Sequence, residues 1–262
     1  KLIIGEVEIF LAPAGHVLGS AQVVMNFANQ VITVSGDYKR QDDPTCAAFE
    51  PIKSDIFITE ATFALPVFKH PNANTQINLL IKSIQNFPER CHVIGVYSLG
   101  KAQRLIKMLR NNGWHNTIYL HGSLVKICNL YEKFGIDLGD LEPATIQDKS
   151  EKPHDFYKGK LILAPPSALA DRWSRRFPDP ILGMASGWMT VKQRAKQRGI
   201  NLPLILSDHA DWNEILTTIK EVSPKEVWIT HGAEEALIYE CSKNNLTAKA
   251  LSIIGYESDT DL

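Results

Sequence analysis

The four cysteines of this chain, Cys46, Cys91, Cys128 and Cys241, lie far apart, and no CxxC pair occurs. A thiolate zinc site is therefore not expected, and scattered cysteines in a chain of this size point to a reducing compartment. No apolar run approaches the roughly 20 residues needed to span a bilayer. Lys1 leads directly into Leu-Ile-Ile-Gly-Glu-Val, with none of the three regions of a secretory signal. The expectation is a cytoplasmic protein with no membrane partner. A charge excess is missing too: the formal net charge is −1 and the pI about 6.8. Non-specific coating of nucleic acid goes with a strongly basic domain, so it is not expected here, while a local basic groove remains compatible. The sequence has no initiator Met and opens inside a strand-like run, so upstream residues are expected to have been lost.

What is present is an ordinary globular composition. Of 262 residues, 44% are apolar and 22% charged, enough to bury a core in one large or two modest domains. Strands are expected at 2–4, 7–12, 22–27, 31–34 and 55–59, with 28–30 as a hairpin turn. The middle then alternates: strand 91–97, helix 101–111, strand 117–120, helix 124–134, strand 161–164, a helix opening over 168–173, and strand 180–184. Strand 204–206, helix 213–221, strand 227–230 and helix 234–243 repeat the theme. Residues 137–160, rich in Gly, Pro, Asp, Lys and Glu, are expected to form a long surface loop. This alternation predicts an α/β fold with a parallel sheet and crossover helices.

Groups able to bind metal or move protons follow the short apolar strands. Residues 31–34 lead into Ser35-Gly36-Asp37, 56–59 into Glu60, 204–206 into Ser207-Asp208-His209, and 227–230 into His231-Gly232. His16 sits among small residues in Ala14-Gly15-His16-Val17-Leu18-Gly19-Ser20, which leaves room for close approach of a metal or substrate. In open α/β sheets, ligands gather at the carboxyl ends of strands. Imidazole and carboxylate are the usual non-thiol ligands of zinc. Two ions about 3.5–4 Å apart suit an in-line phosphoryl displacement, and a histidine backed by a carboxylate suits protonation of the leaving oxygen. Singly, each group has an ordinary explanation: Asp37 as a turn residue, Glu60 as a helix cap, each histidine as a satisfied strand end. The argument rests on the set. His70, His92, His115, His121 and His154 show no such pattern and are assigned structural roles.

Phosphate contacts are expected from Ser98, Gly100 and Lys101, where a turn opens a helix and offers backbone N–H groups beside a cation. Ser167, after Pro165-Pro166, is a second candidate. Lys101, Arg104, Lys107 and Arg110 recur every three residues, but at about 100° per residue such a row drifts round the helix, so a solvated face is equally expected for Lys107 and Arg110. Lys192, Arg194, Lys196 and Arg198 read as solvated. Residues 95–102 also come close to the phosphate-binding pattern GxxxxGK[ST], and 204–208 imitate an apolar strand ending in a magnesium-holding Asp. A P-loop NTPase is therefore an alternative on spacing alone, opposed by Ala102 at the hydroxyl position and by three histidines it leaves idle.

The residues also carry a family resemblance. The stretch Gly15 to Ala21 with Ser35-Gly36-Asp37 resembles the later metal motifs of the metallo-β-lactamase fold. Ile58-Thr59-Glu60-Ala61-Thr62-Phe63, Ser207-Asp208-His209-Ala210-Asp211 and Thr230-His231-Gly232 resemble the three extra motifs of its β-CASP branch, mostly nucleases. Asp37-Tyr38-Lys39-Arg40, Ala164-Pro165-Pro166-Ser167-Ala168-Leu169 and Ala185-Ser186-Gly187-Trp188-Met189 are similar to the bacterial ligase-associated DNA damage response exonucleases, and the similarity runs to about residue 255. The resemblance implies an N-terminally truncated αββα sandwich over 1–65 and 207–262, with a Rossmann-like β-CASP domain inserted at 66–206. It implies two zinc ions, with manganese as the other candidate. His16 would hold one ion, Asp37 would bridge, His231 would hold the second, His209 would protonate the leaving group, and Glu60 would orient His209. It further implies a DNA exonuclease in repair, favoured over an RNA-processing enzyme, and association with an ATP-dependent DNA ligase. The family's upstream HxHxDH motif, which supplies further metal ligands, is not in this chain. Truncation is the favoured explanation; a non-catalytic nucleic-acid-binding module is the alternative.

Overall fold

The structure is a computed structural model that describes residues 1–146 and 152–251. Residues 147–151, inside the expected 137–160 loop, and the residues after 251 lie outside the described residues. The chain opens with four strands paired antiparallel in sequence order: β1 (Leu2–Ile4), β2 (Val7–Pro13), β3 (Ala21–Phe27) and β4 (Gln30–Val34). Phe27 pairs with Gln30, so the hairpin turn is Ala28-Asn29, both with left-handed φ (49° and 62°), as a two-residue turn matching the strand twist requires. β5 (Ile56–Ala61) then runs parallel to β4.

The chain next builds a second sheet from β6 (His92–Gly95), β7 (Ile118–Leu120), β8 (Leu141–Pro143), β9 (Leu161–Ala164), β10 (Ile181–Ala185) and β11 (Leu202–Leu204). Its order is β11-β10-β6-β9-β7-β8, and every neighbouring pair is parallel. β12 (Glu226–Gly232) and β13 (Thr247–Ala250) return to the first sheet beside β5 and complete the order β1-β2-β3-β4-β5-β12-β13. The α/β class and the parallel sheet expected from the alternation are both present.

Side-chain alternation explains the layers. Leu161 and Leu163 of β9 join Ile94, Ile118 and Leu120 under α1 (Ala73–Asn86), α2 (Lys101–Asn111) and α3 (Gly122–Lys133). The intervening Ile162, with Val93 and Tyr119, faces Cys91, Tyr157 and Phe177 on the opposite side. A parallel sheet buried on both faces reads as continuous apolar runs with period-two partition. In the first sheet, Phe57, Val227 and Ile229 pack on Ile215 and Ile219 of α6 (Trp212–Val222) and on Leu237 and Cys241 of α7 (Glu234–Lys243). Among the described residues, no helix is long and apolar enough to cross a membrane.

The structure departs from the sequence reading in several places. α1 was not expected; its buried residues Ala73, Ile77, Leu80 and Ile84 follow a helical stripe among Asn, Gln and Thr that dilute it. The expected loop 137–160 contains β8 and the short helix α4 (Pro153–Tyr157), and the basic stretch from Lys192 forms a further short helix, α5 (Lys192–Gln197). The helix expected from 168 is instead two 3-10 turns, Pro166–Leu169 and Arg172–Arg176. Ser174 Oγ donates to the carbonyls of Leu169 and Asp171, a local side-chain alternative to continued helix. The strand expected at 204–206 lies two residues earlier, at β11.

Candidate metal centre

The His16 loop is fixed from both sides. The backbone N–H groups of His16 and Val17 both donate to Ser20 Oγ at 3.1 Å. Buried Lys39 donates its amine to the His16 carbonyl at 3.1 Å. A Cβ on Gly15, whose φ is +73°, would lie 2.6 Å from the Lys39 carbonyl oxygen, so only glycine fits where these two backbones meet. The His16 ring donates from Nδ1 to the Asp208 carbonyl at 2.8 Å. That leaves Nε2 as a lone pair, 3.9 Å from Asp37 Oδ2. Asp37, in the loop after β4, is half exposed.

Glu60, at the end of β5, is 2% exposed and accepts three hydrogen bonds. Oε1 takes the Tyr38 N–H at 2.8 Å; Oε2 takes the Thr62 hydroxyl and His209 Nδ1–H at 2.8 Å. His209 is further held by its own turn, in which Ser207 Oγ accepts its N–H and donates to its carbonyl, each at 3.0 Å. Burial pulls the His209 pKa down, but the Glu60 hydrogen bond and the charges of Glu60, Asp37 and Asp208 outweigh it, and the net shift is upward. The rings of His16 and His209 are 4.9 Å apart. Ligand atoms of His16, Asp37 and His209 all lie within 4.8 Å of one another. Each histidine thus has one ring N–H tied to an oxygen acceptor, the arrangement that orients metal-binding imidazoles. The donor set fits a divalent ion such as zinc, with three protein ligands and an open position.

The other expected residues fall differently. His231 sits in an irregularity of β12 between Thr230 and Gly232, exposed and with a left-handed φ of 55°, outside the group of three. Ser98 and Lys101 line a cavity of about 280 Å³ that His16 and His209 also line. Gly100 does not line it; a Cβ there would lie 2.1 Å from Val17 Cγ1, so this glycine lets the insert dock on the His16 loop. Ser167 is exposed and lies outside the cavity lining. Two backbone N–H groups of this turn are spent internally, that of Lys101 on the Leu99 carbonyl and that of Ala102 on the Tyr97 carbonyl. These two internal bonds take donors that the P-loop alternative would turn to phosphate, and Ala102 supplies no hydroxyl at the motif's last position.

The cation row of α2 is largely buried. Lys101 places its amine 3.4 Å from Asp208 Oδ2. Arg104, fully buried, donates to the carbonyls of Ser207 (2.6 Å) and Asp42 (3.1 Å) and lies 3.7 Å from Asp43. Asp43 also accepts from Lys39 Nζ at 2.6 Å; burial opposes its ionisation, but Lys39 and Arg104 prevail and hold its pKa below the usual value. Arg110 is not solvated either; it donates to the carbonyls of Leu138, Trp114, Asn116 and Asp140. Lys107 donates to the Asp137 carbonyl. The sequence reading missed this charged seam, because its acceptors come from distant segments. It also missed the aromatic lining of the cavity, Phe63, Tyr97 and Trp188. His92 and His121 do have structural roles, the first against Ser83 Oγ and the second as cap of α3.

Comparison with known proteins agrees with this geometry. Residues 203–242 match a sequence profile described as the Zn-dependent metallo-hydrolase RNA specificity domain. The chain is 26% identical over 256 residues, 93% of its length, to a probable DNA ligase of Opitutus terrae, of which it covers 23%. It is 36% identical over 124 residues to cleavage and polyadenylation specificity factor 73 of Drosophila melanogaster, 44% of this chain and 18% of that protein. It therefore spans under a quarter of the length of either relative. A crystal structure of an Enterococcus faecalis protein of unknown function shares the fold, with a TM-score of 0.61 at 13% identity over 97% of this chain and 64% of that one. The convergence of His16, Asp37 and His209 and the likeness to these relatives support the resemblance to the β-CASP branch of the metallo-β-lactamase fold.

Proposed function

We propose that this chain carries the centre of a metal-dependent hydrolase that cuts phosphodiester bonds in nucleic acid, and that its substrate is DNA, degraded from an end during repair. The observation that carries the reading is the pair of histidines with pinned Nδ1–H groups, converging with Asp37 within 4.8 Å. A bound zinc ion supplies Lewis acidity toward a phosphoryl oxygen and toward water. The protein's own part is to hold it through His16 and Asp37 and to exclude bulk water with Phe63 and Trp188. His209, backed by Glu60, delivers a proton to the departing oxygen. Two ions, with His231 on the second, follow from the family resemblance, as does association with an ATP-dependent DNA ligase; a cytoplasmic setting follows from the scattered cysteines. The likeness to a probable DNA ligase over 93% of the chain favours DNA.

A second assignment has its own support. His209 lies within the metal-binding group of three, which favours it as a ligand rather than a proton donor. The RNA specificity description of the matching profile likewise favours RNA as the alternative substrate. The test is metal content by plasma mass spectrometry on chain purified without chelator, followed by cleavage of end-labelled DNA and RNA with zinc or manganese added. His209→Ala that keeps wild-type zinc and loses cleavage supports the donor role; loss of zinc makes it a ligand. Asp37→Ala with full zinc retention sinks the proposed centre.

A further inference from the structure

We infer that the cavity beside the metal centre is a stacking site for one unpaired nucleobase, with Tyr97 as its platform. The inference rests on the nucleic-acid reading above and specifies which part of the substrate the cavity takes. The cavity, about 280 Å³, is lined by His16 and His209 and by Tyr97, Ser98, Leu99 and Trp188 from loops that follow strands of the second sheet. Its volume lies just under the roughly 300–1,000 Å³ of pockets for drug-sized ligands, so it suits a single nucleotide and not a duplex.

Tyr97 is 52% exposed, although it lies next to one of the most deeply buried helices of the molecule. Core packing does not account for that exposure. The loop that presents it is rigid: Val96 N–H donates to the Ala164 carbonyl, Ala102 N–H to the Tyr97 carbonyl, and Gly100 docks on Val17. The Lys101 ammonium lies 4.5 Å from the Tyr97 ring centroid and is itself anchored by Asp208, which fixes the ring by a cation–π contact. Trp188 is equally constrained, with Phe63 at 4.9 Å, Phe68 at 5.2 Å and the Arg194 guanidinium 4.1 Å over its ring. The pocket therefore joins a preset aromatic surface, a cation and a metal-capable group. Bases stack on such rings without regard to sequence, at about 1–3 kcal/mol each. A paired base has both faces covered, so the ligand is a base from a single strand or a frayed end.

The experiment measures binding by the metal-free chain, so that no cleavage intervenes. Single-stranded hexamers of DNA and of RNA are titrated by calorimetry, alongside DNA hexamers with one abasic residue moved along the chain. Tyr97→Ala is expected to weaken hexamer binding roughly 5- to 160-fold, the range set by one stacked base. Tyr97→Phe should bind as wild type does. One abasic position should weaken wild type by a similar factor and leave Tyr97→Ala no weaker. Tyr239→Ala, which removes a ring 67% exposed on α7, should change nothing. The Tyr97 dependence should hold for DNA and RNA alike. The proposal is overturned if wild type binds no hexamer, if the Tyr97→Ala and abasic losses multiply at every position, if Tyr97→Phe loses as much as Tyr97→Ala, or if the dependence is confined to one sugar. Binding with the expected signature but no cleavage under any divalent ion, even by a chain supplied with an HxHxDH segment, upholds the stacking site and sinks the hydrolase reading instead.

Discussion

Glu60→Gln is the sharpest probe of the centre, because all three partners of this carboxylate are donors: the Tyr38 N–H, the Thr62 hydroxyl and His209 Nδ1–H. A glutamine has only one acceptor oxygen, and its amide NH₂ must face at least one donor in a site that is 2% exposed. The least disruptive response is for the NH₂ to face His209. The ring must then switch tautomer, accept at Nδ1 and carry its proton on Nε2. A hydrogen bond to a charged group is worth about 1.5–3 kcal/mol, so a stability loss of roughly 2–3 kcal/mol is expected. The His209 midpoint should also move. Burial lowers it and Glu60 is the largest influence raising it, so without the charge the midpoint falls. Because the wild-type value is raised, the His209–Glu60 pair contributes its full stability below about pH 6.5 and loses it as pH climbs through the folded midpoint. The wild-type advantage over Glu60→Gln should therefore shrink on the alkaline side. Nitrogen-15 NMR of the imidazole in the metal-free chain reads tautomer and midpoint together, and urea unfolding at several pH values reads stability. An unmoved His209 midpoint with unchanged unfolding would refute the reasoning.

Three other predictions concern the frame of the centre. Arg104→Met strips cations from Asp43 and Asp208 and leaves two carbonyls without their donor; removing one side of a buried charge set costs about 3–5 kcal/mol, and a urea-unfolding loss below about 1 kcal/mol would contradict it. Gly15→Ala drives a methyl toward the Lys39 carbonyl oxygen and the Phe49 nitrogen at a left-handed φ. It should lower stability by about 2–4 kcal/mol and weaken zinc binding at least roughly tenfold through displacement of His16, which a competition assay with a zinc-sensitive dye measures against an unchanged affinity as the negative result. Glu214, half-buried in the capping box of α6, has its pKa pushed up to about 7, chiefly by burial. The folded protein thus holds this proton more tightly than the unfolded chain, and stability falls as pH rises from about 4.5 to about 7. Gln at this position keeps the acceptor for the Asp211 N–H without ionising. Glu214→Gln should therefore match wild type near pH 4.5 and exceed it by about 1–3 kcal/mol at pH 8; equal stability at both pH values removes the burial argument.

What was legible in the sequence is what local chemistry encodes. His16 lies among glycines that permit backbone crossing, and Asp37, Glu60 and His209 each follow an apolar strand or run. Such signals survive without knowledge of the fold, and the structure brings these residues to one place. Pairings across the chain were not legible. Lys101 and Arg104 read as phosphate-binding cations because nothing near them in sequence neutralises them. Their partners, Ser207 and Asp208, are about a hundred residues away, and only folding of the insert against the first sheet brings them together. His231, expected as a ligand of a second ion, lies exposed at an irregularity of β12 and outside the group formed by His16, Asp37 and His209.

These misreadings bear on how the centre works. Arg104 holds the Ser207 carbonyl, Asp208 pairs with Lys101, and the Asp208 carbonyl sets the His16 tautomer. The basic face of α2 is therefore spent on clamping the segment that positions both histidines, and it has little charge left to offer a phosphate backbone. On the proposed function, a nucleic-acid ligand is gripped by something else near the centre. An exposed aromatic ring there is Tyr97, fixed by the same lysine that closes the clamp. If so, the salt dependence of binding should be shallow for a nucleic-acid protein, because few phosphates are neutralised and few counterions released. A hexamer affinity falling with a log–log salt slope steeper than about −3 would mean that basic residues other than α2 carry the interaction.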